Sequence, residues 1–123
     1  MMTRLAYVAS PYSAPCPHVR QMRANQAMAF SAWLWRNGLC YPLSPIAQWH
    51  EAATRCDLPT DAASWTACNR AYFEACAVMY LLKLDGWRES VGVEMELHWA
   101  RDRRLTIIGA SVADGGYDLD VMR

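Results

Sequence analysis

With 123 residues, 12 acidic and 12 basic side chains, the chain is long enough for one hydrophobic core and too short for two ordinary domains. The charge balance excludes a global field that would recruit nucleic acid or an anionic membrane, so an anion must be held by a local site. Five cysteines, Cys16, Cys40, Cys56, Cys68 and Cys76, make no C-x-x-C pair, and their odd number does not suit a closed disulfide framework, which points to a reducing cytoplasm.

The first four residues lead into an apolar run at 5–9, Leu-Ala-Tyr-Val-Ala, which is closed by Ser10-Pro11-Tyr12-Ser13-Ala14-Pro15. The run is too short for a secretory leader, and no stretch approaches a membrane span. It predicts a buried first strand and a loop. A long helix is expected over 17–37, with Met22, Ala29 and Trp33 at helical spacing, Pro17 in its first turn and Gly38 just past its end. Residues 39–43 read as a second short strand. The segment 44–59, with Pro45, Trp49 and His50, reads as a loop plus a short helix lying over the site.

Residues 61–76 predict a helix capped by Asp61, with Trp65, Cys68, Tyr72 and Ala75 on one face. An apolar strand at 78–84 then breaks at Asp85-Gly86-Trp87-Arg88-Glu89, and a helix restarts at Ser90 and runs to about residue 103. A last strand is expected at 105–109. The tail from residue 110 shows little periodicity and is assigned nothing beyond a final short strand. Strands alternating with helices predict a single α/β domain, a mostly parallel sheet of four to five strands in three α/β/α layers.

The strand-to-helix junction at 78–96 is the candidate site, because ligands of open α/β sheets bind outside the carboxyl ends of the strands, where a helix start offers free N–H groups. At about 100° per residue, Val93, Leu97 and Ala100 form the sheet-facing stripe, with Glu96 on its margin. Glu94 lies roughly 200° around the wheel from Glu96, so the two carboxylates cannot pair and only Glu96 reaches the crevice. One reading makes both solvated charges near a helix N-terminus. The other makes Glu96 a nucleophile or base, held ionised by the positive end of its helix, beside an anion cradle of Ser90 and Gly92.

Ser-x-Gly-x-x-x-Glu after an apolar strand, with Tyr-Val-Ala-Ser-Pro-Tyr-Ser at the start and Gly-Trp-Arg-Glu-Ser before the helix, resembles the nucleoside 2-deoxyribosyltransferase-like superfamily. The similarity runs from Tyr7 to Ile108, and lies toward a small bacterial and phage branch related to N-hydrolases of nucleoside 5′-monophosphates. The resemblance implies a flavodoxin-like fold and chemistry at an N-glycosidic bond. It assigns Glu96 as the nucleophile that forms a glycosyl-enzyme intermediate, and Tyr7 as the residue orienting it, where the residues alone allow a core strand tyrosine. It places Ser90 and Gly92 at the 5′-phosphate. A serine there donates to an anion that an aspartate would repel, which favours a nucleotide over a nucleoside, and an N-cap role for Ser90 fits equally.

Asn69 departs from the resemblance, falling where an aspartate often assists the leaving base or the sugar. An amide cannot supply an ionisable proton, so Asp85 and Glu89 are the next acids by sequence. Ser10, Ser13 and Arg20 are further candidates for phosphate or sugar contact, with a solvated helix charge as the other reading of Arg20. Among six tryptophans, Trp49 and Trp87 are the candidates for a base pocket, and the rest read as packing or interface. His50 and His98 lack ligand spacing, so no metal or other cofactor is expected. Trp33, Trp35, Met22, Met28 and Met95 suggest apolar surface for a homo-oligomer, and members of the superfamily commonly complete their sites across a dimer.

Three functions remain: an N-glycosidic hydrolase or transferase on (deoxy)nucleoside 5′-monophosphates, a non-catalytic nucleotide-binding or sequestering protein, and an interaction protein on a reused fold.

Overall fold

The computed structural model describes residues 4–122. Residues 1–3 of the lead-in and residue 123 of the tail lie outside the described residues.

Five strands form one sheet in the order β2-β1-β3-β4-β5: β1 (Leu5–Ala9), β2 (Tyr41–Leu43), β3 (Val78–Leu82), β4 (Ile107–Ala113) and β5 (Gly116–Val121). The first four run parallel and β5 returns antiparallel along β4, which makes a three-layer, flavodoxin-like α/β fold. The helices are α1 (Pro17–Arg36), α2 (Pro45–Arg55), α3 (Ala62–Glu74) and α4 (Val91–Asp102). Alternation along the strands sorts the core into two layers. Ala6, Val8, Val78, Tyr80 and Leu82 face Phe30 and Leu34 of α1, while Tyr7, Ala9, Met79 and Leu81 face Phe73 of α3 and Val93, Leu97 and Ala100 of α4.

Local chemistry sets most helix ends. Ser44 and Ser90 accept the amides of Ala47 and Val93, and Asp61 accepts that of Ser64, each in the N-cap position. Gly38 takes φ +67° just after α1, the left-handed turn that ends a helix most cheaply with glycine.

The structure moves several expected boundaries. Segment 44–59 is mostly the regular helix α2, because Ser44 caps it and Pro45 occupies its first turn. The buried stripe of α1 is Ala24, Ala27, Phe30 and Leu34, whereas Met22 and Ala29 of the expected stripe are exposed. Apolar residues occur all around this helix, so its periodicity was ambiguous. Ala75, expected on one face with Trp65, Cys68 and Tyr72, is exposed beyond the end of α3, and Phe73 is the buried residue there.

The largest correction is the tail. The last parallel strand starts at Ile107, not 105, and continues to Ala113, where Asp114-Gly115 closes a hairpin with Ala113 opposite Gly116. Gly115 takes φ +76° in that turn. An Asp-Gly pair between strands is a hairpin signal, masked here because β5 is an exposed edge carrying Asp118 and Asp120. Tyr117 anchors it by packing on Phe30 and Trp33.

Candidate functional site

From β1 the chain crosses to β2 on one side, then returns past β1 to β3 on the other. The loops leaving the carboxyl ends of β1 and β3 diverge at this switch point, which opens a crevice there. A pocket of about 240 Å³ fills it. The loop after β1 contributes Ser10, Tyr12 and Ser13, α2 contributes Trp49 and His50, and α3 contributes Trp65 and Asn69. The start of α4 brings Ser90 and Gly92, with Glu96 behind them.

Glu96 is 7% exposed, whereas Glu94 is exposed to solvent, as the helical wheel requires. Its carboxylate accepts a hydrogen bond from the Tyr7 hydroxyl, which reaches across from the centre of β1. Tyr7 is fixed by an edge-to-face contact with Phe73 at 5.8 Å between ring centroids.

Burial pushes the Glu96 carboxyl up to about 8, against the lowering effect of the Tyr7 hydrogen bond. The same burial, with Glu96 beside it, raises Tyr7 far above the ordinary phenol range. Burial therefore favours the protonated form of Glu96. This corrects the expectation of a carboxylate held ionised by its helix. Glu96 lies in the second turn of α4, beyond the reach of the N-terminal dipole, and desolvation prevails.

At the mouth of α4 the Ser90 hydroxyl accepts the Val93 amide at 3.2 Å and retains its own hydrogen for donation. A methyl group at Gly92 would meet only Ala62 Cβ at 3.8 Å and Ser90 Oγ at 3.9 Å, so the fold does not require glycine there. Gly92 itself lines the pocket in the first turn of α4. Ser10 Oγ and Asn69 Oδ1 are buried without a hydrogen-bond partner, and both residues line this pocket. A buried polar atom left unpaired costs free energy on the order of 1–3 kcal/mol. Two in one cavity mark a place where a polar ligand would supply the missing partners.

The opposite wall is aromatic. Trp49 and Trp65 lie 5.6 Å apart between centroids, and each spends its indole N–H within the protein, Trp49 on the Tyr72 hydroxyl and Trp65 on the Pro59 carbonyl. Both side chains line the pocket. Ser13 donates to the Thr60 carbonyl at 3.0 Å, joining the first loop to the entry of α3.

Two sequence candidates do not line the pocket. The Arg20 guanidinium binds the carbonyls of Ala14 and Pro15 and lies beside the Tyr12 hydroxyl, which does line it. Trp87 packs half-buried against the core beside α4, with the Arg88 guanidinium over its outer face. Trp87 opens the one-turn helix Trp87–Glu89 and does not line the pocket. Asp85 likewise does not line the pocket, whereas Glu89 does. Met95 and Trp33, expected as exposed apolar surface, pack against the two core layers.

Sequence reasoning also missed residues. Tyr12 lies inside a motif it singled out, yet only the fold shows it beside His50. Trp65 was read as packing. Arg23 went unnoticed although it ties both site loops together, bonding the carbonyls of Tyr12 at 3.3 Å and Ser13 at 3.0 Å and that of Asp85 at 3.1 Å. Gly86, at φ +89°, accommodates it, since a Cβ there would lie 2.7 Å from Arg23 Nη2. Among the described residues no group of three or more His, Cys, Asp or Glu side chains is placed to hold a metal ion, and no helix is long and apolar enough to cross a membrane.

Residues 4–110 match the family model described as Domain of unknown function (DUF1937). No curated protein matches the chain.

Proposed function

The chain belongs to this family, and we propose that it cleaves or transfers the N-glycosidic bond of a (deoxy)nucleoside 5′-monophosphate, with Glu96 as the nucleophile. The observation that carries the reading is the buried Glu96 carboxyl, hydrogen-bonded by Tyr7 behind a pocket that pairs an anion-ready helix start with an aromatic wall. The 5′-phosphate binds at Ser90, Gly92 and the unpartnered Ser10 hydroxyl, where free amides and hydroxyl donors face negative charge. The base stacks on Trp49 and Trp65, and the Asn69 amide takes a sugar hydroxyl or base edge. Between them the anomeric carbon meets Glu96.

Glu96 attacks as the carboxylate, its proton released to solvent, once the substrate places positive charge density beside it. The oxocarbenium-like transition state of glycosidic cleavage does so, while Tyr7 holds the attacking oxygen. The resemblance of the Ser-x-Gly-x-x-x-Glu stretch to the deoxyribosyltransferase-like superfamily supports the same assignment.

A panel of ribo- and deoxyribonucleoside 5′-monophosphates incubated with the protein, with released base separated by chromatography, tests the reading. Wild type is expected to release base, with kcat/KM rising toward pH 8 as the free carboxyl ionises. Glu96→Ala is expected to lose at least ~10³-fold. Absence of free base with every nucleotide would overturn the enzyme reading.

Asn69 favours a second function, a protein that binds or sequesters a nucleotide without turning it over. In that case a nucleotide raises the melting temperature of wild type and Glu96→Ala alike and no base is released. Exposed Met22, Met28 and Trp35 on α1 support a homo-oligomer, and five free cysteines suit a cytoplasmic setting.

A further inference from the structure

A departing base leaves with an electron pair on its ring nitrogen and needs a proton, which the Asn69 amide cannot give. With Glu96 engaged at the anomeric carbon, the other acids at the pocket are poorly placed to give one. Asp61 spends its carboxylate on the amide and hydroxyl of Ser64, bonds that hold its carboxyl below the ordinary range, and it is ionised. Glu89 is exposed on the short turn that leads into Ser90.

The aromatic side of the pocket holds a different arrangement. Tyr12 Oη lies 2.7 Å from His50 Nδ1, and both residues line the cavity. Behind them His50 Nε2 lies 3.0 Å from Gln21 Oε1. Gln21 Nε2 donates to Asn25 Oδ1 at 2.9 Å, which turns Gln21 Oε1 toward His50. The Gln21 oxygen therefore accepts, His50 Nε2 carries a hydrogen, and Nδ1 of the neutral ring accepts the Tyr12 hydroxyl. Arg23 holds the Tyr12 backbone, and the two rings meet edge to face at 5.6 Å. A hydroxyl, an imidazole and an amide thus lie in line from the cavity toward α1, built from three separate elements.

Resting on the glycosidic reading above, we propose that Tyr12 and His50 form a proton relay that protonates the leaving base. Before transfer His50 carries hydrogens on both nitrogens, Nε2–H on Gln21 and Nδ1–H on the Tyr12 oxygen, and the Tyr12 hydroxyl points at the base. As Glu96 forms its bond to the anomeric carbon, the carbon–nitrogen bond breaks and its electron pair stays on the base. The base nitrogen takes the Tyr12 proton, and the Tyr12 oxygen takes the proton from His50 Nδ1. His50 ends neutral with its hydrogen on Nε2, the tautomer that Gln21 selects, and solvent returns the proton for the next turnover.

Leaving groups of different basicity test the relay. Wild type, Tyr12→Phe, His50→Gln and Glu96→Ala are each given a nucleoside 5′-monophosphate and the same pentose 5-phosphate carrying 4-nitrophenolate, which departs without a proton. Tyr12→Phe keeps the ring and its contact with His50, and His50→Gln keeps polar partners but cannot pass a proton. Both are expected to lose about 10²–10⁴-fold on the nucleotide, with a loss at least ~10-fold smaller on the nitrophenyl donor. Equal losses on the two donors, or a Tyr12→Phe enzyme as fast as wild type on the nucleotide, overturn the relay. If nitrophenolate release still depends on Glu96 in those cases, the glycosidic reading stands without it. If wild type turns over neither donor, that reading falls and takes the relay with it.

Discussion

The two faces of the sheet are packed from similar aromatic residues and end differently. Against α1, Phe30 meets Trp33, Tyr80 and Tyr117 at 6.3, 6.0 and 4.8 Å, a cluster closed over by the C-terminal hairpin. Against α3 and α4, Phe73 meets Tyr7 and Trp99 at 5.8 and 5.6 Å, but the Tyr7 hydroxyl runs on to a buried carboxyl and an open pocket. The first face gains stability from nearly every group it buries. The second spends some of it on Glu96 and Asn69 Oδ1, groups that a stability optimum would replace. Unpaid polar burial concentrated on one side of an otherwise ordinary core is the physical mark of the site.

The sharpest way to break this comparison is to cut each face in turn. Phe30→Ala is expected to cost about 3–5 kcal/mol in urea denaturation, because a fully buried ring leaves a cavity among aromatic neighbours. A cost below ~1 kcal/mol would show that the α1 face is not the stabilising layer.

Glu96→Gln tests the other face and is expected to act in the opposite direction. The folded carboxyl, raised from 4.5 to about 8, binds its proton more tightly than the unfolded chain does. The stability this supplies is fully present below pH 4.5 and is lost as pH rises through about 8. A neutral amide escapes that loss. The variant should match wild type near pH 4.5 and melt several degrees higher above pH 8, at roughly 4 °C per ~1 kcal/mol for a chain of this size. A constant difference across the range would mean that Glu96 does not titrate as its burial requires.

Gly92→Ala is the smallest change and separates fold from site most cleanly. With nothing closer than 3.8 Å to the added methyl, the helix is expected to gain up to about 1 kcal/mol from alanine's propensity. The same methyl narrows the cradle over the α4 amides, so the nucleotide-induced rise in melting temperature should shrink. Unaltered nucleotide binding would move the phosphate away from Gly92.

Much of the framework was legible because local rules act over a few residues. Asp61 and Ser90 announced their helices, Gly38 ended another, and the 3.6-residue repeat separated Glu96 from Glu94 before any contact was known. The hairpin was missed although Asp114-Gly115 marked it, because an edge strand with two aspartates lacks the hydrophobic alternation that identifies buried ones. Arg20 and Trp87 do not line the pocket for a related reason. Nearness to a site loop in sequence does not say which way a side chain points once a loop carbonyl or a one-turn helix claims it.

The amino-acid order by itself determined the alternation of strands and helices, the inward glutamate and the serine that opens its helix, since each follows from the geometry of one element. The resemblance pairs Tyr7 with Glu96, and the fold joins them across 89 positions; only the tertiary structure decided that Tyr12 meets His50 across 38. It also raised the Glu96 carboxyl toward 8, because desolvation depends on every element packed around a group, and no single helix or strand contains that information.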